Sequence, residues 1–296
     1  MGALLLLRYH SALHLILSLS AFMQWFINYQ QDRISPSDRG LAYGDGLFET
    51  IKASPKGFEY LNDHLLRLER GLAKLSMPFP TEKITELRLF LFNTILPLIK
   101  HEMVVKIIVT RGEGGRGYLP AENAQHTVLV GIGEAPDYQR EQQSGVHLGV
   151  SDVPVNSNPY LSGIKHLNRL ENVLAKQKLN LAHFEDVMLN HQGHVIECIQ
   201  SNIFWFKDGT LHTPSLSQSG VQGVFRHHVL ATQADRLINI GHFSLNALKQ
   251  ADEIFITNSL MGIVPVISLL GDSMPIGLHT QGLQRLMKNK DVHDTF

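Results

Sequence analysis

A chain of 296 residues in which 26 Lys and Arg stand against 27 Asp and Glu carries a formal charge of -1, so it has no cationic surplus for extended nucleic-acid binding. With 44% hydrophobic and 18% charged residues it can bury one large core or two moderate ones, and two domains are expected. The single cysteine, Cys198, excludes an internal disulfide and suits a reducing compartment, so a cytoplasmic location is expected. The nearest histidine clusters are His227 with His228 and His191 with His194. Neither has metal-ligand spacing, HExxH is absent, and no metal is expected.

Residues 3–22 form a leucine-rich stretch with the look of a signal peptide or short anchor, but Arg8, His10 and His14 interrupt it. Residues 1–22 are therefore expected to be a dispensable extension ahead of Met23, with no stable membrane association. QWFINYQ (24–30) then reads as a strand, and GLFETIKASPKGFEY (46–60) as two strands around a Pro-Lys-Gly turn. Leu61, Leu65, Leu68, Leu72 and Leu75, spaced by three and four, predict a helix with one apolar face. Thr81 to Lys100 repeats the helical pattern, and 103–110 and 126–133 read as strands joined by a glycine-rich loop. The polar run 134–145 contains the expected linker, 138–145, between a smaller α+β domain (23–137) and a larger domain (146–296). In the latter, strands are expected at 146–152, 185–190, 194–197, 201–206, 252–257 and 262–269. Helices are expected near 168–181, 223–236 and 244–250, around a mixed or barrel-like sheet.

Two segments invite a chemical reading. GEGGRG (112–117) fits the dinucleotide fingerprint G-x-G-x-x-G and follows a strand, but YLPAENAQ after it carries a proline where the fingerprint needs a helix N-terminus. It reads instead as a loop bearing Arg111 and Arg116, either of which can meet a substrate carboxylate. GIKHLNRLENVLAKQ (163–177) places Lys165 between an extended stretch and a helix.

The wording of that second segment resembles the Schiff-base segment of the fold-type IV pyridoxal-phosphate enzymes. SDRGLAYGDGLFETIK (37–52), HLLRLERG (64–71), VIECIQSNIFW (195–205), GVQGVFR (220–226) and TNSL (257–260) are similar to further motifs of the family, in its order and spacing. The resemblance implies an α+β, two-domain fold, with a smaller N-terminal α/β sandwich and a larger C-terminal mixed-sheet domain. It implies pyridoxal 5'-phosphate on Lys165, its phosphate gripped by Arg67 and by loops including Val224, Phe225, Asn258 and Ser259, and its ring nitrogen paired with Glu197. Such a carboxylate keeps the nitrogen protonated, which makes the ring an electron sink. By the same resemblance a homodimer with a small-molecule substrate is expected.

Within the family the lysine segment and GRGY (115–118) are most similar to the branch that releases pyruvate from 4-amino-4-deoxychorismate to leave 4-aminobenzoate. That reading assigns Arg111, Arg116, Tyr118, His166 and Asn168 to the substrate. A D-amino-acid or branched-chain aminotransferase would use the same Lys165, Glu197 and Arg67, and GLFET is at home in both. A non-catalytic binder of the cofactor is the remaining alternative.

Overall fold

A computed structural model describes residues 23–30, 33–114, 116–234, 237–288 and 292–294. Residues 1–22 and Gly115 of the glycine-rich loop lie outside the described residues.

The first half opens with β1 (Gln24–Ile27), the short helix α1 (Arg39–Tyr43) and the hairpin of β2 (Gly46–Ser54) and β3 (Gly57–Glu59). The leucine stripe forms α2 (Leu61–Lys74), with Leu61, Leu65, Leu68 and Leu72 all buried and Leu75 partly so. The next helix, α3 (Thr81–Phe90), is shorter than the spacing predicts. It relaxes through a π turn at Leu91–Ile95 into a 3-10 turn at Leu96–Leu98, where Pro97 has no N–H to continue the ladder. β4 (Met103–Thr110) and β5 (Thr127–Glu134) complete an antiparallel sheet whose sixth member is the last described strand of the chain, His293–Asp294, paired with β3. The first sheet thus recruits residues from the far end of the chain, which the sequence reading assigned with 146–296.

Alternation along β2 divides its side chains between two environments. Leu47, Glu49, Ile51 and Ala53 are buried, most of them in the core shared with α2 and α3, whereas Phe48, Thr50 and Lys52 are only partly buried on the opposite face. Phe48 and Thr50 line the main cavity.

The stretch read as a linker contains the helix α4 (Gln139–Ser144), docked by a hydrogen bond from Gln142 Nε2 to Met261 O at 2.8 Å. Beyond it lie β6 (Val146–Val150), α5 (Leu170–Lys178), β7 (Glu185–Leu189), β8 (Val195–Cys198), β9 (Asn202–Lys207) and β10 (Thr210–Pro214). α6 (Val224–Thr232), β11 (Ile238–Gly241), α7 (Leu245–Lys249), β12 (Glu253–Asn258) and β13 (Gly262–Leu269) follow. β14 (Asp272–Ser273), α8 (Leu278–Lys288) and β15 (His293–Asp294) end the described chain. The second sheet has nine strands, eight in the order β11-β10-β9-β12-β13-β6-β7-β8 with β14 beside β13. Three of its pairings are parallel, β10 with β11, β13 with β6 and β6 with β7, so the sheet is mixed as expected. The fold is α+β with two sheets, each carrying its own apolar core. No helix among the described residues is long and apolar enough to cross a membrane.

Candidate active site

A cavity of about 410 Å³ lies where the two sheets meet, lined by Phe48 and Thr50 of β2, by Glu197 and Cys198 of β8, and by Lys165. Gly163, at φ 78°, admits the turn into the lysine segment, and its N–H donates to Gly220 O. Between bends at Ile164 and Leu167 the segment is bridged to β2 by His166 opposite Leu47. The N–H of Phe48 donates to Lys165 O at 2.9 Å, and the N–H of Leu167 donates to Gly46 O at 3.0 Å. The Lys165 side chain carries its Nζ to 4.4 Å from the centre of the Phe48 ring. Desolvation, reinforced by the Arg67 cation and opposed by Glu49, brings the Lys165 amine down to about 7. Near neutrality a substantial fraction is therefore unprotonated and nucleophilic.

Glu197 is buried and accepts a hydrogen bond from the Val221 N–H at 2.9 Å. Burial pushes its carboxyl up, and Arg169, the Val221 N–H and Lys165 offset only part of that rise. Gly220, at φ 79°, is needed beside it, because a Cβ there would meet Leu216 Cδ2 at 2.8 Å and Glu197 Oε2 at 3.2 Å.

Glu49 has a different environment. It accepts from His64 Nδ1 at 2.6 Å, from Arg67 Nε at 2.9 Å and from Arg67 Nη2. Burial opposes its charge, but the Arg67 guanidinium and the His64 hydrogen bond hold its carboxyl at about 2. Arg67 is thereby fixed at the cavity wall, with Nη1 donating to Gln222 O at 3.1 Å. Beside it the N-terminus of α6 has no side-chain cap, so its first N–H groups are available to an anion. Thr257 Oγ1, buried and without a partner, belongs to a residue lining the same cavity.

Of the residues singled out from the sequence, Lys165, Arg67, Glu197, Phe225, Asn258 and Ser259 line this cavity. Val224 lines a neighbouring one of about 300 Å³ together with Arg67, Gly223 and Arg226. The Asn258 carboxamide is already engaged, its Oδ1 accepting from the N–H groups of Leu260 and Met261 and its Nδ2 donating to Gln200 O at 3.3 Å.

The residues assigned to the substrate are not among those lining either cavity. Arg111 is consumed structurally: Nε donates to Asp45 Oδ2 at 2.8 Å, Nη1 to Ser76 O and Nη2 to Leu75 O. Arg116 and Tyr118 are exposed on the loop, which Arg39 anchors by donating to Gly117 O and Tyr118 O. His166 has its basicity driven down to about 3, first by burial and then by Arg169. Asn168 is exposed and donates to Gly44 O.

Sequence reasoning missed Phe48, Thr50, Tyr138, Arg169, Asn172, Lys176 and Thr257, all of which line the main cavity, and the Glu49–His64 support behind Arg67. A signal for part of this set was present, because 169, 172, 173 and 176 recur at helical spacing on α5 and its cap. Lys106 was missed as well, with Nζ 5.3 Å from the same Phe48 ring that Lys165 approaches.

Lys165, the buried Glu197 carboxylate and Arg67 with the uncapped start of α6 thus gather around one cavity. The chain belongs to the class IV aminotransferase family, whose family model matches residues 46–269. It is 38% identical to an aminodeoxychorismate lyase of Vibrio harveyi over 271 residues, covering 88% of this chain and 98% of that one. The crystal structure of 4-amino-4-deoxychorismate lyase from Pseudomonas aeruginosa superposes with a TM-score of 0.85 at 37% identity, covering 90% of this chain and 99% of the other. A D-alanine aminotransferase of Listeria monocytogenes is 30% identical over 79% of this chain and 81% of its own length.

Proposed function

We propose that this protein is a pyridoxal-phosphate-dependent carbon–oxygen lyase that converts 4-amino-4-deoxychorismate to 4-aminobenzoate and pyruvate. The observation that carries the reading is the similarity to two lyases of that name along nearly their whole lengths, at 38% and 37% identity. The cavity fits the cofactor chemically. Arg67, the uncapped start of α6, the orphaned Thr257 hydroxyl and Ser259 suit a phosphate dianion, and Glu197 suits a protonated ring nitrogen. When bound, pyridoxal phosphate supplies an electron sink for a carbanion at the amine-bearing carbon.

The residues do the rest. Lys165 would hold the cofactor through its amine and, once freed by the substrate amine, would serve as the base for the C4 proton. Glu197 keeps a proton on the ring nitrogen. Phe48 presents an apolar face beside the reactive amine and limits water there. Breaking the neighbouring C3–O bond releases the three-carbon unit with the bonding pair on oxygen, and uptake of a proton at its carbon gives pyruvate. The remaining ring has lost the elements needed to become aromatic, which makes the step irreversible in practice.

The test is turnover of aminodeoxychorismate alone against an amino acid paired with 2-oxoglutarate. Rapid 4-aminobenzoate formation without any keto acid is expected. Turnover of the paired substrates only would establish the aminotransferase reading, which the similarity to the Listeria enzyme favours as the second choice. A cytoplasmic homodimer is part of the same proposal, checked by light scattering of the purified protein and by fractionation of the cells that make it.

A further inference from the structure

Lys165 lies between bends at Ile164 and Leu167, in a short segment bridged to β2 through His166 and Leu47. The carbonyl of Lys165 faces β2 and accepts from the Phe48 N–H, and the Leu167 N–H is likewise bonded to Gly46 O. The carbonyls of Ile164 and His166 are not part of that pairing with β2. Both are met by a single side chain: Arg169 donates from Nε to His166 O at 3.0 Å and from Nη2 to Ile164 O at 3.2 Å.

We infer that Arg169 is the positioning residue for the reactive amine, its guanidinium clamping the peptide carbonyls on both sides of Lys165. The inference rests on the proposal that Lys165 is the reactive lysine. Arginine suits this task because one planar edge carries two donors in fixed relation, whereas a lysine ammonium is a point charge on a flexible stem. Its own placement is secure, because Arg169 is the N-cap residue of α5 and its carbonyl accepts from the Val173 N–H at 3.0 Å. Arg169 also lines the main cavity. It therefore brings a cation near Lys165 as well as a clamp, and the two effects can be separated.

The experiment compares wild-type, Arg169→Lys and Arg169→Gln holoenzymes. In all three, borohydride reduction and peptide mapping are expected to find the pyridoxyl group on Lys165. Amide hydrogen exchange in the peptide spanning 163–169 should rise about thirtyfold in both variants, as expected for loss of two hydrogen bonds that each contribute about 1 kcal/mol, and stay unchanged in β4 and β5. kcat should fall about 10- to 100-fold in both variants with KM within about threefold, because a misplaced base costs rate more than binding. The pH at which the bound cofactor's visible absorbance titrates should move upward in Arg169→Gln, which loses the cation, and less in Arg169→Lys. Unchanged exchange and kcat in both variants would overturn the clamp, as would full rescue by lysine, which would leave charge as the whole effect. Labelling of another lysine in the wild type would overturn the site proposal itself, an outcome distinct from either. Should Arg169→Gln prove insoluble, Arg169→Lys alone still decides between clamp and charge through exchange and kcat.

Discussion

The two walls of the cavity treat buried carboxylates in opposite ways. On the β2 wall, Glu49 is matched by an arginine and a histidine from α2, and its charge is held down to about 2 against the cost of burial. On the wall built by the second sheet, Glu197 has one N–H donor and no contacting cation, and Glu185 behind it has a serine hydroxyl; burial raises both, Glu185 to about 7. The difference teaches which carboxylate is finished and which is waiting. Glu49 has a complete set of partners and works by holding Arg67 still. Glu197 lines the open cavity, where under the proposed function a cofactor's ring nitrogen would meet it.

The sharpest way to break this contrast is at the amine between the walls. Lys165→Ala should lower 4-aminobenzoate formation by about ten-thousand-fold or more, since it removes the group proposed as both nucleophile and base. Rapid-quench assay of the purified variant checks it. Glu197→Gln comes next, with kcat down about 100- to 1000-fold as the ring nitrogen loses its anionic partner, and cofactor affinity changed far less. Glu49→Gln should show the converse in a cofactor titration, a weaker cofactor Kd and a modest kcat change, together with a loss of about 3 kcal/mol in urea unfolding because the Arg67 cation is left poorly compensated.

The pH dependence of stability carries opposite signs on the two walls. Glu49 has a folded value below its usual 4.5, so its contribution is present above about 4.5 and is lost as pH falls towards about 2. Glu185 has a folded value above 4.5, so its contribution is complete below about 4.5 and is lost as pH rises through about 7. Melting curves of Glu185→Gln should therefore lack a decline, amounting to a few kcal/mol, that the wild type shows between those pH values. The smallest effects concern the loop arginines. Arg111→Lys should cost about 1–3 kcal/mol of stability by stranding the Leu75 and Ser76 carbonyls and Asp45. Arg116→Lys, on an exposed loop segment, should change turnover less than about twofold, and a larger loss would return that residue to the substrate site.

Several features were legible in the sequence because their physics is local. The spacing of Leu61, Leu65, Leu68 and Leu72 specified α2 and its buried face, and the β-branched and aromatic residues flanking the Pro-Lys-Gly turn specified β2 and β3. Lys165, Glu197 and Arg67 were identified from family motifs, and all three line one cavity. The misses have nonlocal causes. β11 is four residues long and is held in register only by its parallel neighbour β10. β15 has two residues and is a strand only because β3, more than 200 positions away, offers it a partner.

Sequence alone determined the elements whose apolar period decides which face is buried, because that depends on near neighbours. What tertiary structure decided is how each polar group is used. Arg111 and Arg169 look alike as side chains beside a glycine-rich loop and a lysine motif, yet the fold gives the first to Asp45 and two carbonyls and the second to the peptide groups around Lys165. A guanidinium has donors enough for either task, and only the acceptors that folding brings within about 3 Å determine which one it performs.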